Sequence, residues 1–105
     1  MTRIAFTNKI TSLLRMMIVL GENPIIDFVK RTEAEQRRLF DAGLSKCDGI
    51  NIVSNHQFGK AMDIYFIDPA TSALADPIKG FAYWHEKWVE MGGNPMIEWD
   101  QGHFD

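Results

Sequence analysis

Residues 54–67 read SNHQFGKAMDIYFI. The second half alternates like a β-strand. Met62, Ile64 and Phe66 point one way, and Ala61, Asp63 and Tyr65 point the other. An aspartate inside such an apolar and aromatic strand is costly to desolvate unless something pairs with it. A structural partner or a metal ion would meet that need. His56 stands earlier in the same stretch, on the far side of Gly59. Fully extended, the chain would hold His56 and Asp63 about 23 Å apart. They converge only if the backbone doubles back, and Gly59 is the residue that permits the bend. Ala61, small and on the Asp63 face, leaves open space before the carboxylate.

Working outward, Phe6, Ile10, Leu13, Leu14, Met17 and Leu20 recur at helical spacing, with Gly21 placed to end that helix. NPIIDFV (23–29) reads as a turn at Asn23–Pro24 leading into a short strand. TEAEQRRLFDAG (32–43) starts a second helix with Thr32 as N-cap and Glu35 completing a capping box. Leu39 and Phe40 supply its apolar face, and Gly43 stops it. From Ser45 to Phe58 the chain is polar and irregular, with Gly49 and Asn51 as turn residues. DPATSALADP (68–77) reads as a surface loop, too short to form much of a substrate lid. KGFAYWHEKWVEMGG (79–93) predicts a helix that buries Phe81, Trp84, Trp88 and Met91. The tail NPMIEWDQGHFD (94–105) mixes turn and short-strand signals. The expected fold is one α+β domain over 1–105, a short antiparallel sheet flanked by helices.

Bulk properties narrow the function classes. Hydrophobic content of 46% and charged content of 24% are ordinary for a soluble globular chain of 105 residues. A net charge of −3 argues against nucleic-acid binding, which needs a basic patch. Arg31, Arg37 and Arg38 form the one local basic cluster and read as a solvated helix face. The single cysteine, Cys47, rules out an internal disulfide and sits in the turn-like SKCDG as a bystander. LLRMMIVLG (13–21) is interrupted by Arg15 and lacks a small-x-small cleavage site, so it reads as core helix. The apolar run from Met16 to Leu20 is far too short to span a bilayer. The expectations are no export signal, no membrane insertion and a monomer.

The tail adds Asp100 and His103, in DQGH, at a spacing that lets one turn present both side chains to one locus. His56, Asp63 and His103 make a three-ligand set for a catalytic zinc, with a fourth position left for water. Zinc lowers that water's pKa and polarises a carbonyl. Asp100 would then take the water's proton and pass it to a leaving amine. Two other metal patterns fail on spacing. HEKWV at His85 begins like HExxH but has Val89 where the second histidine belongs, so His85 reads as an exposed or satisfied helix residue. No acidic loop of the EF-hand kind is present.

SNHQFGKAMDI fits S-x-H-x-x-G-x-A-x-D, and DQGHF fits a later D/E-x-x-H element. Together they resemble the M15 zinc peptidases, the D-Ala-D-Ala carboxypeptidase and dipeptidase group acting on peptidoglycan peptides. RTEAEQRRLFDAG (31–43) resembles that family's R-T-x-x-x-Q segment, and the resemblance covers roughly residues 25 to 105. HQFG and AMDIYF look most like the phage and prophage L-alanyl-D-glutamate endopeptidase branch.

The resemblance implies a small hedgehog/D,D-peptidase-like domain with His56, Asp63 and His103 as zinc ligands and Asp100 as general base. It implies that Arg31 holds a substrate carboxylate or the developing oxyanion, a task suited to a guanidinium fork. Gln36 would support that pocket and Ser54 would hydrogen-bond around the metal loop, each with plain helix or loop hydrogen bonding as the alternative. Relatives usually continue with a closing strand beyond the position of Asp105 and often carry Glu there. Glu98 is a second carboxylate close to Asp100 in sequence. The implied activity is endopeptidase cleavage between L-Ala and D-Glu of peptidoglycan stem peptides. D-Ala-D-Ala carboxypeptidase or dipeptidase action, or an inactive zinc-binding wall module, are the alternatives. The implied setting is a lysin made in the cytoplasm and released to the wall by a separate membrane-permeabilising protein.

Overall fold

The computed structural model describes residues 1–27, 33–43, 56 and 59–105, and within 33–43 all side chains except those of residues 33, 35, 36 and 39. Helix α1 spans Arg3–Val19, and the Thr2 hydroxyl caps it by accepting the Ala5 N–H at 3.0 Å. Phe6, Ile10, Leu13 and Met17 form its buried stripe, which is the apolar period expected from sequence. Leu20 falls outside that stripe because the helix has ended, and it is exposed. The chain turns at Gly21 into strand β1, Pro24–Ile26. Helix α2 follows at Glu33–Asp41 and stops before Gly43, whose N–H returns to the Phe40 carbonyl. The Thr32 cap, the Glu35 partner and the strand positions Phe28 and Val29 lie outside what the structure describes.

Strand β2, Met62–Ile67, is the centre of the sheet. β1 pairs antiparallel with it, Ile25 opposite Tyr65. Two short strands, β3 (Leu74–Ala75) and β4 (His103–Phe104), pair with opposite ends of β2, through Phe66–Ile67 and Met62–Asp63 respectively. β3 lies inside the segment expected to be loop. The Asp68 N–H reaches the Ala73 carbonyl and its carboxylate accepts the Ala70 N–H, closing a tight turn that folds 74–75 back onto the sheet.

Helix α3, Phe81–Glu90, buries Trp84 and Trp88 completely, while Phe81 and Met91 pack partly buried at the margin. Its tryptophans meet the α1 stripe and the Met62–Ile64–Phe66 face of β2 in one core; Phe6 stands edge-on to Trp88 with ring centroids 5.8 Å apart. Glu22 anchors the approach to α3. Its buried carboxylate accepts the N–H groups of Ile78 (2.7 Å) and Lys79 (3.1 Å) and the Trp84 indole N–H (2.7 Å). Among the described residues no helix is long and apolar enough to cross a membrane. The described elements make a small α+β fold in which the sheet is buried on both faces around residues 61–64.

Candidate metal centre

Asp63 lies on β2 directly opposite His103 on β4. The next residue, Ile64, donates its N–H to the Gly102 carbonyl at 2.7 Å, while the Asp63 carbonyl accepts from Asp27 on the β1 side. Asp63 and His103 therefore form a non-hydrogen-bonded antiparallel pair, the geometry that brings facing side chains closest. Gly102 makes the approach possible, since a Cβ there would lie 2.7 Å from the Tyr65 ring and 2.9 Å from the Ile64 carbonyl oxygen.

His56 arrives from the other direction. Gly59 has φ +67° and donates its N–H to the His56 carbonyl at 3.2 Å, so the chain does double back at the expected residue. The result is a tight triangle of single atoms. His56 Nε2 is 3.0 Å from Asp63 Oδ1 and 3.1 Å from His103 Nδ1, and His103 Nδ1 is 3.4 Å from the same Asp63 oxygen. His56 and Asp63 are 1% and 4% exposed.

These residues fit a metal ion. Ligand bonds of about 2.0–2.1 Å in tetrahedral geometry separate donor atoms by about 3.3 Å, and the three edges bracket that value. Two imidazole nitrogens 3.1 Å apart have room for one proton between them, not two, and a buried carboxylate oxygen sits against both. A cation satisfies all three lone pairs at once. The group His56, Asp63 and His103 is thus one that could hold a metal ion.

The far nitrogen of His103, Nε2, lies 3.3 Å from Asp105 Oδ2. Burial works against a charged imidazolium at His103, but hydrogen bonds to Asp105 and Asp63 outweigh it and raise its pKa to about 9. With a metal on Nδ1, the same Asp105 contact would hold the proton on Nε2 and orient the ring. Asp105 went unrecognised as a partner in the sequence, though its position two residues past His103 is the spacing at which strand side chains share a face.

Asp100 stands in the turn before β4, and its carbonyl accepts the His103 N–H at 3.1 Å. It does not join the converging group of three, and it lines an open cleft of about 740 Å³ together with Glu98, Trp99, Tyr65 and Phe81. None of His56, Asp63 and His103 lines that cleft. Arg31 and Ser54 lie outside the described residues, and so does the side chain of Gln36, which is carried on α2.

His85 is 3% exposed, and so buried rather than exposed. Its Nε2 lies 2.6 Å from the Gln101 carbonyl oxygen, and its ring stacks on Phe104 at 4.0 Å with only 5° between the planes. Burial pushes its pKa below the ordinary value, only partly offset by the Gln101 bond.

Set against known proteins, the chain matches no family model, no curated protein and no solved structure.

Proposed function

We propose that this chain is a zinc-dependent peptidase that hydrolyses peptidoglycan stem peptides, with an L-alanyl-D-glutamate endopeptidase cut as the specific activity. The observation that carries the proposal is the triangle of His56 Nε2, Asp63 Oδ1 and His103 Nδ1, with edges of 3.0, 3.1 and 3.4 Å. Among the described residues three donor atoms converge, and three protein ligands with a fourth position for water is the donor set of catalytic zinc sites rather than structural ones. The pattern S-x-H-x-x-G-x-A-x-D followed by D-x-x-H supports the same assignment.

Zinc would supply an acidified water and Lewis acidity toward the scissile carbonyl. Asp100, in the turn that carries His103, would take the proton from the attacking water and deliver it to the leaving amine nitrogen. Arg31 receives a substrate carboxylate or the developing oxyanion, Gln36 supports it, and Ser54 steadies the His56 loop. Asp105 keeps the His103 ring in the tautomer that presents Nδ1. The protein acts at the bacterial cell wall, as a lysin released by a separate membrane-permeabilising protein.

The test is digestion of purified peptidoglycan with and without a zinc chelator, with soluble products read by mass spectrometry. Free stem peptides that vanish on chelation and return with zinc are the expected result. Loss of a terminal D-Ala alone would assign a carboxypeptidase instead. No product from a folded, zinc-loaded chain would mark an inactive wall module. Asp100→Ala should lower turnover about 10²- to 10⁴-fold while bound zinc stays near one per chain.

A further inference from the structure

We propose that His85 on α3 is a positioning residue for the metal-binding turn, its Nε2–H holding the Gln101 carbonyl while its ring stacks on Phe104. The two contacts fall on either side of His103, so a single side chain grips the turn before and after the ligand. That turn also carries Asp100, whose carbonyl accepts the His103 N–H. α3 is bound into the core through Trp84 and Trp88, which gives the grip a rigid base.

Only one state of the ring fits. The Gln101 oxygen at 2.6 Å requires a proton on Nε2. Nδ1 is buried with no hydrogen-bond partner among the described residues, so a proton there would find no acceptor among them. A phenylalanine could stack on Phe104, and a glutamine could donate to the carbonyl. Histidine does both, and leaving Nδ1 buried without a partner is the cost of using it.

The inference rests on the metal-site proposal, since the turn is gripped in order to aim His103 at a metal. Chelator competition on the full chain measures it with zinc, and the cobalt(II) absorption spectrum reports the ligand geometry. For His85→Phe, which keeps the stack and loses the donor, the zinc dissociation constant should rise about tenfold and the cobalt spectrum should change. For His85→Gln, which restores a donor near the Nε2 position, affinity should return to within about threefold of the parent. Nitrogen NMR of the unmodified protein should find His85 as the Nε2–H tautomer, which needs no variant to fold. Hydrogen exchange at the His103 amide should quicken in His85→Phe and slow again in His85→Gln.

Unchanged zinc affinity and cobalt spectrum in His85→Phe would overturn the proposal. Equal weakening in both variants would also overturn it, since that is the outcome of packing alone, and so would the Nδ1–H tautomer. A parent chain that binds no zinc would sink the peptidase proposal. The tautomer and the His103 exchange pattern would then still decide whether His85 grips the turn.

Discussion

Among the described residues two carboxylates are buried to nearly the same degree, Glu22 at 5% exposure and Asp63 at 4%, and they are surrounded in opposite ways. Glu22 accepts two backbone N–H groups and an indole N–H, all of them donors only. Such a carboxylate is complete without any ion, and it fastens the segment before α3 to the end of α1. Asp63 instead faces two imidazole nitrogens, which also face each other. Protons can satisfy part of that cluster, but three converging donor atoms are better served by a cation. A buried acid is therefore not by itself a sign of function; what decides is whether its neighbours bring hydrogens or lone pairs.

The largest expected effect breaks the Asp63 side of this comparison. With free zinc at about a thousand times its dissociation constant, the parent should gain about 4 kcal/mol of stability, because the ligand binds only the folded chain. Asp63→Asn should gain almost none of it, and should lose hydrolysis as well. Denaturant unfolding with and without zinc checks this; equal stabilisation of parent and variant would remove Asp63 from the metal site. Glu22→Leu should do the reverse. It leaves the Trp84 N–H buried without an acceptor and should cost about 3 kcal/mol whether or not zinc is present.

The next effect sharpens the comparison through pH. In the metal-free fold His103 has its pKa raised to about 9, against 6.5 as the ordinary value. Because the folded value is the higher one, the stabilisation is complete below about pH 6.5 and is lost as pH rises through about 9. Metal-free protein should therefore lose on the order of 2–3 kcal/mol between pH 6 and pH 10. Zinc competes with that proton, so its apparent affinity should rise about tenfold per pH unit between pH 7 and 8. A flat zinc affinity over that interval would show that His103 carries no proton to displace.

The His56–Asp63 half of the candidate metal group was legible because its parts are local, whereas His103, 47 residues from His56, was legible only through the DQGH pattern. His56, Gly59, Ala61 and Asp63 sit within one short stretch, and an aspartate among Met62, Ile64 and Phe66 breaks the pattern of a buried strand. The helices follow from the periods of Phe6–Met17 and Phe81–Trp88. β3 was not legible, since two exposed residues, Leu74 and Ala75, carry no alternation, and their pairing comes from the Asp68 turn. Glu22 was not legible either, because its partners lie 56 to 62 residues away. His85 was half legible. The helical period places it with Phe81, Trp84 and Trp88 on the buried stripe, whereas the HExxH spacing turns attention away from it.

The smallest predicted effect belongs to Asp105, which stands behind the candidate metal group as the Glu22 donors stand around their carboxylate. Its oxygen lies 3.3 Å from His103 Nε2. Without an acceptor there, the imidazole has less reason to keep its proton on Nε2 and its lone pair on Nδ1. Asp105→Ala should therefore weaken zinc binding about tenfold at neutral pH, at the low end of the range for groups that orient metal ligands. Asp105→Asn keeps an acceptor and should recover most of the loss, while the metal-free pH dependence should shrink because one of the two charges favouring the imidazolium is gone. Zinc competition on both variants, with unfolding of the metal-free forms at pH 6 and 10, separates the two roles. If Asp105→Ala matches the parent in both, the His103 ring is held by the β2–β4 pairing alone, and the Asp63 site needs no carboxylate behind it.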